Sequence, residues 1–120
     1  EPDARVLVGR IVEFYEGRAL LAAGGREGLR MLISESVDIL VSDIGMPDYD
    51  GYKLIQHIRS SDQQRVRDIP AIALTAYARA DDRQRALLAG YQMHLAKPVE
   101  PRELIAGIAS LLRIPHRLES

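Results

Sequence analysis

Hydrophobic positions along the 120-residue chain follow two alternating patterns. Apolar residues at i, i+3 and i+4 mark amphipathic helices, and short uninterrupted apolar runs between them mark buried strands. The helical pattern predicts helices over residues 3–16, around 29–33, around 54–58, over 80–89 and from 101 onward. The apolar runs predict strands over residues 18–23, 38–42, 71–75 and 93–96, with a polar loop over 60–68.

The same spacing predicts which side chains of each helix face the core. These residues are Val8, Ile11, Val12, Tyr15, Leu29, Leu32, Ile33, Leu54, Ile55, Ile58, Leu104, Ile105, Ile108 and Leu111. Strands that alternate strictly with helices are typical of a parallel sheet covered on both sides. We therefore predict an α/β fold with a doubly wound parallel sheet.

Composition narrows the classes of function. A chain of 120 residues with 47% hydrophobic positions supports one domain with a modest core. The chain has no cysteine, which excludes a disulfide frame and a thiolate metal site, and we expect a cytoplasmic protein. Lys and Arg (16) balance Asp and Glu (17), so direct nucleic-acid binding is not expected. No apolar run approaches the ~20 residues that span a bilayer, so no membrane association is expected.

Polar side chains follow three consecutive predicted strands at their carboxyl ends: Asp43, Thr75 and Lys97. In an open parallel sheet these ends share one edge, and ligands bind in the crevice beside it. Phosphoryl transfer uses a carboxylate that attacks phosphorus, a hydroxyl that donates to a phosphoryl oxygen and an ammonium that neutralises charge. Because such chemistry depends on positioning and charge neutralisation, we also expect Mg²⁺ at this edge.

Three motifs at these strand ends resemble the receiver domains of bacterial response regulators. The motifs are Asp-Ile-Gly-Met-Pro at 43–47 with Asp-Gly at 50–51, Leu-Thr-Ala at 74–76 and Lys-Pro at 97–98. The interval from Thr75 to Lys97 is 22 residues (97 − 75), which is similar to that of the family. The resemblance implies the flavodoxin-like receiver fold, with a receiver domain at 1–113 and a C-terminal tail at 114–120.

The resemblance also implies a role for each motif residue. Asp43 would be the phosphoacceptor, Thr75 the hydroxyl that turns toward the acyl phosphate, and Lys97 the ion-pair partner. Pro98 would follow a cis peptide bond that aims the lysine. His94 occupies the position of the family's aromatic switch residue, and its imidazole is expected either to switch with Thr75 or to pack half-buried.

The metal site that the resemblance implies is weak in these 120 residues. Receiver domains begin with a strand that ends in an acidic pair, and residues 1–5 resemble the segment immediately after that pair. We therefore predict that the first strand is missing from the chain, and that upstream residues or another chain fill its place. The Mg²⁺ ligands that remain are Asp43, the backbone carbonyl of Gly45 and, weakly, Glu1. Gly45 and Tyr77 also occupy positions at which the family tunes phosphoryl lifetime.

Partners follow from the same resemblance. The phosphoryl donor would be a phosphohistidine on a sensor histidine kinase or a phosphotransfer domain. The Ile-Gly-Met-Pro sequence at 44–47 is similar to that of receivers fused behind hybrid sensor kinases. The surface that responds to phosphorylation would lie within residues 80–112, and a homodimer could use the same surface.

Three functions fit these residues. The first is a phosphoaccepting signalling module that is not an enzyme, beyond slow self-dephosphorylation. The second is a pseudo-receiver, which keeps the fold and binds partners without being phosphorylated. The third is a small phosphatase of the haloacid-dehalogenase type, which the sequence disfavours because such enzymes have a second Asp where this chain has Gly45.

Overall fold

The computed structural model of the chain describes residues 4–15, 17, 25–44, 51–75 and 80–112. Within these ranges the chain forms six helices and three strands. In chain order they are α1 (Ala4–Phe14), α2 (Gly25–Ser34), β1 (Leu40–Asp43), α3 (Gly51–Arg59), α4 (Gln64–Arg67), β2 (Ala71–Thr75), α5 (Ala80–Ala89), β3 (Met93–Ala96) and α6 (Pro101–Leu112). The predicted strand over 18–23, the tail at 114–120, Glu1, Gly45 and Tyr77 lie outside the described residues.

The three described strands form one parallel sheet in the order β1-β2-β3. Asp43 lies opposite Leu74, and Thr75 lies opposite Ala96. All five residues of β2, the central strand, are buried. A parallel strand with neighbours on both sides and helices on both faces has no solvent-facing side, which explains the unbroken apolar run that precedes Thr75.

Side chains along β2 alternate between two hydrophobic clusters, as the two-residue repeat of a strand requires. Ala71 and Ala73 pack with residues of α2, α3, α4 and α5. Ile72 and Leu74 pack in a second cluster with α1 and α6. Helices therefore cover both faces of the sheet, and the prediction of a doubly wound α/β fold is confirmed.

Helical periodicity predicts part of the buried faces correctly. The predicted core residues of α3 are buried: Leu54, Ile55 and Ile58. The prediction is wrong for Tyr15 and Ile33, which are exposed. Tyr15 lies in the turn after α1, where its ring packs edge-on against Phe14. Ile33 follows buried Leu32, and one step of ~100° around α2 is enough to turn its side chain away from the core.

The polar loop predicted over residues 60–68 contains a short helix, α4, so that prediction is wrong at its centre. Val66 is the apolar anchor of α4 and is buried in the first cluster. The guanidinium of Arg65 donates to the backbone carbonyls of Leu32 and Glu35 at 3.0 and 2.7 Å, where α2 ends. Because the last carbonyls of a helix lack intrahelical donors, Arg65 satisfies groups that the local sequence pattern does not reveal.

Gly51, the first residue of α3, packs directly against the end of β1. A β-carbon on Gly51 would lie 2.6 Å from the α-carbon of Ile44 and 2.7 Å from one of its methyl groups. We expect Gly51→Ala to lower the free energy of unfolding by about 1–3 kcal/mol, because backbone and a β-branched side chain cannot move aside cheaply. Equilibrium unfolding in urea measures this loss.

Gly107 of α6 is the matched control for this substitution. A β-carbon there would lie 2.5 Å from the sulfur of Met93, which belongs to a flexible side chain that can rotate away. Alanine also favours a helix interior over glycine by about 0.5–1 kcal/mol. We expect Gly107→Ala to lower the free energy of unfolding by less than Gly51→Ala does. Equal decreases in the two variants would contradict a clash of the Gly51 β-carbon with the backbone.

Candidate functional site

The carboxyl ends of the three described strands bring the predicted site residues together. Asp43 is the last residue of β1, Thr75 is the last residue of β2, and Lys97 follows β3 directly. The backbone N–H of Lys97 donates to the carbonyl of Thr75 at 2.7 Å, so strand pairing continues one residue beyond β3. The N–H of Ile44 likewise donates to the carbonyl of Leu74 at 3.1 Å. Asp43, Thr75 and Lys97 therefore share one edge of the sheet.

Asp43 and Lys97 form an ion pair at this edge. The ammonium Nζ of Lys97 lies 2.5 Å from carboxylate Oδ2 of Asp43. The Lys97 and Asp43 side chains are 29% and 34% exposed, so the carboxylate can be reached from solvent. Thr75 is buried beside them at the end of β2. The arrangement offers a solvent-facing nucleophile, a cation in contact with it and a hydroxyl on the adjacent strand.

Contacts on both sides of Lys97 hold its backbone in place. Its N–H donates to the carbonyl of Thr75. The peptide bond between Lys97 and Pro98 is cis. Val99 is buried in the second cluster, together with Leu104 of α6. These contacts hold the lysine backbone beside the sheet edge, so that its ammonium reaches Asp43.

His94 lies on the same face of the sheet as Thr75. The sheet register places His94 beside Ala73, and side chains of residues 73 and 75 point to the same side of β2. Its imidazole is partly buried, and Nε2 is buried without a hydrogen-bond partner among the described residues. The half-buried position is as expected for a packing role, while a switch role for His94 stays a prediction.

Oxygen ligands for a metal ion are sparse in the described part of the chain. Within it, no three His, Cys, Asp or Glu side chains cluster closely enough to hold an ion. Of the three ligands that the resemblance implies, Asp43 is described, while Gly45 and Glu1 lie outside the described residues. Mg²⁺ commonly keeps several waters and binds one or two carboxylates together with substrate phosphates, and Asp43 fits one such position.

Two other residues connect the elements that carry the site, and the sequence patterns do not reveal either of them. The buried hydroxyl of Tyr91 donates to the carbonyl of Gly51 at 2.7 Å. Arg59, at the end of α3, donates to three backbone carbonyls in the chain segments before β2 and β3. Burial lowers the pKa of Arg59 from its ordinary value, and the Asp68 carboxylate acts in the opposite direction.

Solved structures of other proteins share this fold. The receiver domain of a sensor histidine kinase from Pseudomonas aeruginosa, crystallised with a magnesium ion coordinated in its active-site cleft, superimposes with a TM-score of 0.83. It is 30% identical in sequence, and the match covers 94% of this chain and 91% of that domain. The chain thus has the flavodoxin-like receiver fold that the resemblance implied.

Sequence comparison leads to the same class. Residues 1–109 match the response regulator receiver domain family, and the chain belongs to that family. An uncharacterized 14.6 kDa protein of Leptolyngbya boryana is 43% identical over 105 residues, which is 88% of this chain and 79% of that protein. The transcriptional regulatory protein HprR of Escherichia coli is 35% identical over 96 residues, and the chain spans 41% of its length.

Family membership identifies a signalling domain of two-component systems. Response regulators interact with histidine kinases or phosphotransfer proteins, and receiver domains bind Mg²⁺ in their active sites. None of the described helices is both long enough and apolar enough to span a bilayer.

Proposed function

We propose that the chain is a phosphoaccepting receiver of a cytoplasmic phosphorelay, which takes a phosphoryl group from a phosphohistidine onto Asp43. The observation that carries this proposal is the contact between the Lys97 ammonium and the partly exposed Asp43 carboxylate, beside Thr75 at the same sheet edge. The donor would be a sensor histidine kinase, including a hybrid kinase, or a phosphotransfer domain.

The proposed reaction balances with the groups at this edge. A carboxylate oxygen of Asp43 attacks phosphorus, the phosphorus–nitrogen bond of the donor breaks, and the donor imidazole keeps the electron pair. Lys97 neutralises charge on the transferring group, and Thr75 donates its hydroxyl hydrogen to a phosphoryl oxygen. Mg²⁺, held by Asp43 and the carbonyl of Gly45, would supply further charge neutralisation.

Phosphorylation would change the electrostatics enough to operate a switch. The phosphoryl group brings roughly −1.5 to −2 charge to the end of β1. A charge-assisted bond from the Thr75 hydroxyl would be new and would contribute about 1.5–3 kcal/mol, while the Lys97 ammonium already contacts Asp43 and would exchange that contact for one to the phosphoryl group. A free energy of this size shifts a two-state equilibrium about 10- to 150-fold. His94, on the same sheet face as Thr75, would respond to its movement.

The surface proposed to respond consists of α5, β3 and α6. Among the described side chains of α5, Ala86 is buried, while Leu87 and Leu88 are exposed and Leu88 is 81% accessible. Exposed leucines beside one small buried alanine are unusual for a helix that only covers a sheet. This pattern supports docking of a partner, or of a second copy of the chain, on α5.

Incubation with acetyl phosphate and Mg²⁺ tests the proposal. We expect intact-mass spectrometry to show one added phosphate in the full-length protein, and chelation of Mg²⁺ to prevent it. Reduction of the acyl phosphate with borohydride, followed by peptide sequencing, should locate it at Asp43. A folded full-length protein that takes up no phosphate would instead support the pseudo-receiver function.

A further inference from the structure

We propose that Tyr91 is a positioning residue for the phosphorylation site, because its hydroxyl binds the carbonyl of Gly51, which packs directly against Ile44, the residue after Asp43. This inference rests on the proposed function and deepens it. Tyr91 lies outside the three strand ends, and we expect it to have a measurable influence on the rate of phosphoryl transfer.

The chain leaves β1 at Ile44 and returns at Gly51, with residues 45–50 between them. Gly51 packs so closely on Ile44 that a β-carbon would lie 2.6 Å from the Ile44 α-carbon. The Gly51 N–H also points to the carbonyl of Ile44 at 3.5 Å. Ile44 is bonded directly to Asp43, so a displacement of Gly51 that moves Ile44 also moves the backbone of the phosphoacceptor.

Tyr91 anchors this junction from a distant part of the chain. Its side chain is 2% exposed, and its hydroxyl donates to the Gly51 carbonyl at 2.7 Å across 40 residues of sequence. Its own backbone is fixed in the turn that ends α5, where the Tyr91 N–H donates to the carbonyl of Ala86 at 3.1 Å. Gly90, with φ of +131°, forms that turn. Tyr91 therefore links the end of α5 to the start of α3.

The hydroxyl contributes more than packing. A buried phenol needs a hydrogen-bond partner, and the Gly51 carbonyl is that partner. Small errors in the placement of reacting groups reduce rates strongly, since phosphoryl transfer depends on alignment. Removal of the hydroxyl alone should loosen Gly51 and Ile44 while the aromatic ring still fills the core.

Tyr91→Phe tests the inference in the full-length protein, with Tyr15→Phe as the matched control because Tyr15 is exposed. We expect the maximal rate of phosphorylation by acetyl phosphate to fall about two- to tenfold in Tyr91→Phe, because a factor of this size corresponds to the free energy of one hydrogen bond. The acetyl phosphate concentration that gives half-maximal rate should stay unchanged, since Tyr91 does not touch the donor. Tyr15→Phe should match the wild type in both parameters.

The outcomes separate this inference from the proposed function. If the wild type accepts phosphate and Tyr91→Phe accepts it at the same rate, the positioning role is overturned, even where urea unfolding shows lower stability. If the wild type accepts no phosphate at all, the proposed function is overturned and this inference with it. A slower Tyr91→Phe protein that still unfolds in one cooperative transition, and that is fully folded under the assay conditions, supports positioning.

Discussion

Asp43→Asn is expected to abolish phosphate uptake from acetyl phosphate, while the protein stays folded. A neutral amide oxygen is a poor nucleophile compared with a carboxylate, so no acyl phosphate should form. Asparagine has nearly the same volume, and the lost ion pair with Lys97 is partly exposed, so stability should change by no more than about 1 kcal/mol. Intact-mass spectrometry after incubation with Mg²⁺ and acetyl phosphate measures the uptake.

Asp38→Asn is the control for this change. Asp38 is exposed and precedes β1 by two residues, so the substitution removes the same charge from the same part of the chain. Its phosphate uptake should equal that of the wild type. Uptake at the wild-type level in Asp43→Asn would show that another residue accepts the phosphoryl group.

Arg59→Ala is expected to lower the free energy of unfolding by about 2–4 kcal/mol, a large share of the stability of a small domain. The guanidinium donates to the carbonyls of Gly90, Arg67 and Ile69 at 2.7–3.0 Å, and to the side-chain oxygen of Gln92 at 3.1 Å. These partly buried carbonyls have no equivalent donor once the side chain is removed. Urea unfolding, monitored by circular dichroism, gives the change.

Arg59→Lys separates the geometry of the side chain from its charge. Lysine keeps the positive charge but cannot reach three carbonyls in different directions. We therefore expect Arg59→Lys to recover less than half of the unfolding free energy that Arg59→Ala loses. Arg30→Ala, at an exposed position of α2, should change the free energy of unfolding by less than about 0.5 kcal/mol. An Arg59→Lys protein as stable as the wild type would show that charge alone matters at this position.

Much of the fold can be predicted from local patterns, because the sheet is buried on both faces. The strands at 71–75 and 93–96 and the helix at 80–89 have the predicted bounds. The first described strand is shifted, with predicted bounds of 38–42 and observed bounds of Leu40–Asp43. Its start depends on pairing with β2, which begins opposite Leu40, and pairing register is not visible in a single apolar run.

The topology of the sheet alone predicts that the three strand-end residues lie together. Parallel strands of one sheet end at one edge, so Asp43, Thr75 and Lys97 had to meet if the strands were assigned correctly. The contacts of Tyr91 and Arg59 follow no such rule. Arg59 binds a carbonyl 31 residues away in sequence, and Tyr91 binds one 40 residues away. Both contacts depend on the direction of a long side chain, which the periodicity of the sequence does not predict.

The way α5 is attached determines how much work is needed to move it. Among its described side chains only Ala86 is fully buried, and Ala89 packs partly buried beside it, so these two contribute about 1.6 kcal/mol of apolar burial. The guanidinium of Arg85 adds a contact over the ring of Tyr52, with its central carbon 4.2 Å from the ring centroid. A partner that covers Leu88 on the outer face gains about 1.5–3 kcal/mol. Binding at Leu88 is therefore comparable in free energy with the apolar contacts of the described inner side chains, so a partner on the outer face can shift the position of α5.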